Sequence, residues 1–185
     1  MNGKYYKKKL TNKDIIIEKY KKELVLLKNQ LEIYKEEVYR DSLTKLNNRR
    51  SLNNREKYSS IIFCDVDYFK KINDKYGHYT GDRVLIEISN ILKESVRKED
   101  LVCRWGGEEF LILLKECNVD ETIKKAVSIK QNMKQVSKKF GFPVTMSFGI
   151  SILENSLDTA IVQADKAMYK SKTNGRNRIT IYSQK

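Results

Sequence analysis

Ser59 to Asp67 reads S-S-I-I-F-C-D-V-D, and further along Arg104 to Phe110 reads R-W-G-G-E-E-F. The first stretch is a run of apolar and small residues ending on two carboxylates. It predicts a buried strand over Ser59–Val66 with acidic groups at its carboxyl end. Strand alternation places Asp65 and Asp67 on one side and Val66 on the other. The second stretch sets two glycines between apolar runs, a hairpin signal joining strands at Leu101–Trp105 and Glu108–Leu114. Its tip carries Glu108 and Glu109. If these strands are neighbours, three or four carboxylates converge. Crowded carboxylates resist ionisation unless a cation compensates, and oxygen ligands without histidine suit Mg²⁺ or Mn²⁺. Paired ions on such a cluster run phosphoryl and nucleotidyl transfer. Gly106 and Gly107 permit the close backbone approach that a phosphate or sugar needs. Each motif alone also fits a solvated turn or a plain hairpin; their joint occurrence in a basic chain is the signal.

Elements alternate around these two stretches. Tyr68–Tyr76 predicts a short helix stopped by Gly77. Gly81–Arg97 predicts a helix with Val84, Leu85, Ile88, Ile91, Leu92 and Val96 on one face. Further helices are expected at Asp120–Lys139 and Leu157–Lys172, the latter ending near Gly175. Strands are expected at Val144–Ser151 and Ile179–Tyr182. The order β-α-α-β-β-α-β-α-β argues for an α+β domain, with helices covering a mostly antiparallel central sheet. Asp41 or Ser42 is suited to cap a short helix, and the domain boundary is placed there: an N-terminal helix over residues 1–40 and a globular domain over 41–185.

The chain has 185 residues, enough for one domain with a real core plus a short extension. The 37 Lys and Arg against 24 Asp and Glu give a net charge of +13, which suits a polyanionic partner and equally follows from an AT-rich genome. Cys64, Cys103 and Cys117 are odd in number and lack a CxxC, which excludes a disulfide scaffold and a zinc ribbon and suits the cytoplasm. His78 is the only histidine, which excludes HExxH and Cys₂His₂ sites; after Gly77 it reads as satisfying backbone groups in the turn. No apolar run reaches the roughly 18 residues of a membrane span, and no signal peptide is legible.

Ile17 to Val38 holds a strict heptad, with Ile17, Leu24, Leu31 and Val38 at a and Tyr20, Leu27 and Tyr34 at d. Glu23 at g faces Lys28 at e of a partner chain, and Lys21 and Lys35 also lie at e. This predicts a parallel coiled-coil homodimer, weakened by tyrosine at d. A single amphipathic helix packed on its own domain is the other reading. Residues 1–13, rich in Lys and Tyr, are expected to fray.

Four blocks occur in order: D-S-L-T-K-L-N-N-R-R from Asp41, D-V-D-Y-F-K-K-I-N-D-K-Y-G-H-Y-T-G-D from Asp65, R-W-G-G-E-E-F from Arg104, and A-D-K-A-M-Y-K-S-K-T-N-G-R-N from Ala164. Together they resemble the GGDEF family, the diguanylate cyclases, in its GGEEF variant, over about residues 41–183. The resemblance implies a palm-like sheet similar to that of nucleotide polymerases and adenylyl cyclases. It implies condensation of two GTP into cyclic di-GMP with release of two pyrophosphates. Asp65, the Val66 carbonyl, Glu108 and Glu109 would hold two Mg²⁺ (or Mn²⁺) ions per active site, with Glu108 also a candidate base for the 3′-hydroxyl. The implied catalytic groups are Asp65, Lys70, Glu108 and Glu109. Gly106 and Gly107 would pass close to the nucleotide, and Phe69 and Lys70 would flank its phosphates. Asn73 and Asp82 would read guanine, because an amide and a carboxylate together meet its acceptors and its N1–H and N2–H₂ donors. Adenine would leave Asp82 unpaired. Lys172 and Arg176, four apart on one helix face, would grip the triphosphate; a solvated helix end is the plain alternative.

Arg97-Lys98-Glu99-Asp100 is an RxxD at the family's offset from the Gly-Gly, which implies an inhibitory product site at Arg97 and Asp100. The further arginine expected on the following helix is missing, since that stretch reads Ala126-Val127-Ser128-Ile129-Lys130. Lys45 replaces the usual glycine of the L-T-G-L block, Ser171 stands where alanine is common, and the segment from Arg50 to Ser59 is short enough to truncate the domain's first helix. Two half-sites must meet face to face, so the dimer belongs to the mechanism. Residues 1–40 are too short for a sensor, which leaves a constitutive chain, control by a partner helix, or a truncated chain. The rival readings are a non-catalytic cyclic di-GMP receptor using Arg97 and Asp100, and a nucleic-acid-binding coiled coil; the intact carboxylates and glycines speak against the first, and no specific nucleic acid partner is expected.

Overall fold

The computed structural model describes residues 11–52, 58–154 and 156–183. The chain divides into two units, a helical one up to Val38 and a folded one from Tyr39 onward. The first is helix α1 (Asn12–Tyr39), which buries none of its side chains. Thr11 and Asp14 cap its start reciprocally, each side chain accepting from the other's backbone N–H. Of residues 1–13, expected to fray, 1–10 lie outside the described residues, whereas Thr11 caps α1 and Asn12 and Lys13 form its first turn, held by the reciprocal Thr11–Asp14 bonds.

The second unit holds β1 (Asn47–Asn48), β2 (Ser60–Val66), α2 (Phe69–Tyr76), α3 (His78–Glu94), β3 (Leu101–Arg104), β4 (Glu109–Leu114), α4 (Val119–Phe140), β5 (Met146–Ile152), α5 (Leu157–Thr173) and β6 (Ile179–Ile181). The sheet order is β1-β3-β4-β2-β5-β6. The three inner pairings are antiparallel, and the edge strands β1 and β6 pair parallel with β3 and β5. The α+β class and the mostly antiparallel sheet are as the sequence indicates.

β2 runs through the middle and is buried along its whole length. Alternation divides its residues between two cores. Ile62, Cys64 and Val66 face α2, α3 and α4, while Ile61 and Phe63 face Ala160, Ala164 and Met168 of α5. The α5 layer lies close because Gly149 of β5 has no side chain; a Cβ there would run into the backbone of Ala164 and Met168. Ser171, where alanine is common, donates its hydroxyl to the Phe148 carbonyl and meets Thr180, tying α5 to β5 and β6.

Several boundaries differ from expectation. No helix follows Asp41: its carboxylate accepts from the Thr44 N–H and hydroxyl, closing a turn that Lys45 completes at φ 57°. Gly77 (φ 82°) ends α2 and starts α3 at once, so α3 begins at His78 rather than Gly81. His78 is exposed, and among the described residues its side chain makes no hydrogen bond, so it does not satisfy the turn's backbone groups as expected. Trp105 and Glu108 fall in the turn rather than the strands. β1 was not expected, since two asparagines carry no apolar period. A single 3₁₀ turn at Arg49–Ser51 occupies the start of the stretch where the sequence implies a truncated helix; residues 53–57 lie outside the described residues.

Candidate active site

The carboxyl end of β2 brings Asp65 opposite Glu109 on one side and Ser147 on the other. The Val66 N–H donates to the Glu108 carbonyl at 3.2 Å, which fastens the β3–β4 hairpin tip to the strand end. Within the tip, the Trp105 and Gly106 N–H groups both reach the Glu109 carbonyl, at 2.9 and 3.4 Å. Gly106 lies so close to the Glu109 carboxylate that a Cβ would displace it, whereas Gly107 has nothing within 4 Å of a Cβ.

Asp65 is buried and faces the α5 side, where Lys172 Nζ lies 2.7 Å from its Oδ2. Burial pushes the Asp65 carboxyl up to about 6; Lys172 works against this, and the nearby Glu108 and Glu109 work with it. Glu108 is raised too, by burial first, against Lys172 and with Glu109. The acidic groups are thus near enough to perturb one another. Among the described residues, however, no three of them are drawn into a set that could hold a metal ion as they stand. Lys172 supplies the positive charge that the buried carboxylate requires. The donors are oxygens only, which fits a hard divalent cation.

Asp67 does not join this cluster. Its two carboxylate oxygens accept from the Thr145 hydroxyl at 2.7 Å, the Ser147 hydroxyl at 2.6 Å and the Asn177 N–H at 3.0 Å. It anchors the segment that follows α5 to the sheet. That anchoring corrects the reading of Lys172 and Arg176 as one helix face. α5 ends at Thr173, and Gly175, Arg176 and Asn177 turn back with φ of 106°, 62° and 47°. Arg176 is carried over the Tyr68 ring, 4.4 Å from its centroid, with Nη1 3.4 Å from the Tyr68 hydroxyl. Nothing in the local sequence pattern marks Tyr68 for this place; its left-handed backbone (φ 56°) and Lys71 beside its ring complete this arrangement.

On the other flank, Phe69 is buried in the core, so its ring cannot line a phosphate site; only its backbone is available there. Lys70 is exposed. The Phe69 and Lys70 N–H groups open α2, where helix donors lack intrahelical partners. Asn73 Oδ1 is buried and has no hydrogen-bond partner. Gly81 of α3 makes room for it, and any Cβ there would overlap that oxygen. Asp82 follows on α3, exposed.

Arg104 carries a role that its position in the motif did not disclose. Its Nη1 donates to Asp41 Oδ1 at 2.9 Å, and its Nε and Nη2 donate to the Gly107 carbonyl at 3.2 and 2.7 Å. Burial works to raise Asp41, and the Thr44 donors with the Arg104 guanidinium outweigh it and hold the carboxyl low. Arg97 and Asp100 lie beyond α3. Asp100 accepts from the Arg97 N–H at 2.9 Å and the Lys115 N–H at 3.0 Å, so its carboxylate is fixed while the Arg97 side chain is exposed.

A sequence profile described as "Diguanylate cyclase, GGDEF domain" matches residues 38–178. Diguanylate cyclase A of Treponema denticola is 40% identical over 128 residues, 66% of this chain and 34% of its own length. Diguanylate cyclase DosC of Escherichia coli K12 is 35% identical over 168 residues, 82% of this chain and 36% of its own. The chain therefore spans about a third of the length of these curated relatives. Among solved structures, the coiled coil and GGDEF domain of DgcB from Caulobacter crescentus, in complex with c-di-GMP, superposes with a TM-score of 0.77 at 22% identity, covering 92% of this chain and all of that one. The active GGEEF domain of a diguanylate cyclase from Vibrio cholerae gives 0.63 at 32% identity, covering 70% of this chain and 85% of that one.

Proposed function

The chain belongs to the GGDEF family, and from that premise we propose that it condenses two GTP into cyclic di-GMP with release of two pyrophosphates. The observation that carries this reading is the buried Asp65, registered opposite Glu109 and compensated by Lys172. Asp65, the Val66 carbonyl, Glu108 and Glu109 would hold two Mg²⁺ or Mn²⁺ ions, which when bound neutralise phosphate charge and lower the pKa of the attacking 3′-hydroxyl. Lys172 and Arg176 bind triphosphate oxygens from one side. The Phe69 and Lys70 N–H groups at the start of α2 donate to them from the other, with the Lys70 ammonium nearby. Asn73 Oδ1 accepts from the guanine amino group and Asp82 from N1–H. Glu108, with its carboxyl raised by burial, takes the 3′-hydroxyl proton.

One domain holds one GTP, so two domains meet as half-sites about a twofold axis. The exposed Ile17, Leu24 and Leu31 at a and Tyr20, Leu27 and Tyr34 at d of α1 support a homodimer through that helix, raising the effective concentration of the second half-site to ~mM. Arg97 and Asp100 form the site through which the product inhibits. The test is incubation of the chain with GTP and Mg²⁺ beside Glu108→Ala, with products identified by mass. Cyclic di-GMP from the wild type alone is expected. No product, with tight binding of added cyclic di-GMP, replaces the cyclase reading with a receptor.

A further inference from the structure

A groove of about 300 Å³ opens beside Arg97, away from Asp65 and Lys172, between the Arg40–Asn47 turn and the end of α3 with the loop into β3. Its wall carries five cations, Arg40, Lys45, Lys93, Arg97 and Lys98, against one carboxylate, Asp100. Lys45, Lys93, Arg97 and Lys98 are exposed and make no ion pair among the described residues. A concave surface of one sign concentrates counter-ions. The single carboxylate is held by two backbone N–H groups and keeps lone pairs for ring N–H donors. The chemistry is that of an anion carrying both phosphodiesters and a base.

Lys45 is the unexpected member. Its φ of 57° is a conformation that glycine adopts freely and a lysine rarely does. A lysine kept at a strained backbone position, with its side chain lining a cationic groove, points to a use for the charge. α4, the helix on which the family resemblance would put a further arginine, contributes nothing to the groove wall; its Lys125 is engaged on the Ser95 carbonyl at 3.1 Å. We infer that Lys45 supplies the phosphate-binding cation that α4 lacks, so that the cyclic dinucleotide is clasped between the Arg40–Asn47 turn and Arg97. This rests on the reading of Arg97 and Asp100 as a product site. It also gives the ligand a purchase on the catalytic hairpin. The turn it clasps holds Asp41, and Asp41 holds Arg104 against the Gly107 carbonyl.

The test is calorimetric titration of the full chain with cyclic di-GMP, its catalytic site filled by a non-hydrolysable GTP analogue. Lys45→Gly removes the charge and suits the backbone, so its melting temperature should equal or exceed that of wild type. Its affinity should fall at least tenfold, and the dependence of affinity on salt should flatten by about one ion. Lys138→Ala, at the end of α4 where Lys139 meets Glu87, serves as the charge control and should bind as wild type. Unchanged binding by Lys45→Gly, or an equal loss from Lys138→Ala, overturns the inference. If Arg97→Ala loses binding while Lys45→Gly does not, the product-site reading survives and the role of Lys45 does not. If Lys45→Gly loses binding while Arg97→Ala does not, both the clasp against Arg97 and the product-site reading are overturned. No binding by wild type overturns both.

Discussion

Lys172 Nζ stands 2.7 Å from Asp65 Oδ2, joining the last turn of α5 to the end of β2 across a carboxylate side chain only 4% exposed. Burial lifts that carboxyl from its ordinary 3.8 to about 6, despite Lys172. Because the folded value is the higher one, the associated stability is present at low pH and is lost as pH rises from about 3.8 to about 6, by up to about 3 kcal/mol. A divalent cation needs the ionised carboxylate, so its binding runs the other way. The rise in melting temperature caused by Mg²⁺ should therefore be near nil at about pH 5, grow through the window given by Asp65, and vanish in Asp65→Asn. Equal rises on both sides of that window would remove Asp65 from the metal site.

Asn73 Oδ1 is buried without a partner. A polar atom left in that state costs about 1–3 kcal/mol. Asn73→Leu, of nearly the same shape, should raise stability by about 1 kcal/mol in thermal melts. The same change should raise the KM for GTP at least tenfold, because the guanine loses its acceptor. If stability falls while KM holds, the oxygen serves the fold and not the nucleotide.

Gly107 has open space where a Cβ would sit and needs no left-handed backbone. The fold therefore makes no demand for glycine there. Gly107→Ala should change stability by less than about 0.5 kcal/mol and still weaken nucleotide binding at least tenfold. Nucleotide titration beside a thermal melt separates the two effects; unaltered binding would mean that no ligand approaches this backbone.

The sequence exposed those parts of the site that follow from local period. Alternation along Ser60–Val66 assigned Asp65 to the face opposite Val66, and the paired glycines marked the hairpin that carries Glu108 and Glu109. What it hid depends on contacts between distant residues or on backbone turns. Asp67 looks like a second metal carboxylate until Thr145, Ser147 and Asn177 use up its oxygens. Arg176 looks helical by its spacing from Lys172 until three left-handed residues carry it onto Tyr68. β1 has no apolar residue to announce it and exists because Asn47 and Asn48 lie against Cys103 and Arg104.

Arg104 and Asp41 are 63 residues apart, and their ion pair is largely shielded, with side chains 14% and 21% exposed. Three nitrogens of the guanidinium reach the carboxylate and the Gly107 carbonyl together, a spaced planar fork that the single nitrogen of an ammonium does not reproduce. Arg104→Lys should cost about 1–3 kcal/mol of stability and lower kcat more than it raises KM, since the hairpin tip loses its brace while the nucleotide contacts remain. Steady-state kinetics on a variant shown to be folded gives the split. A change in KM alone would make Arg104 a nucleotide contact.

α1 exposes more apolar surface than its heptad accounts for: Val25, Leu26 and Ile33 lie off the seam and are as open as Leu24 and Leu31. A helix polar only in part has two ways to bury itself, and the seam predicts which. Charge at a positions is placed in the middle of a paired interface, whereas charge at Val25 falls on its outer side. Leu24→Glu with Leu31→Glu should therefore lower activity per chain at low protein concentration, with recovery as concentration rises, and sedimentation should show the shift to monomer. Val25→Glu should do neither. If Val25→Glu is the damaging change, the helix buries a different stripe and the heptad is not its interface; if none matters, the catalytic domains find each other without it.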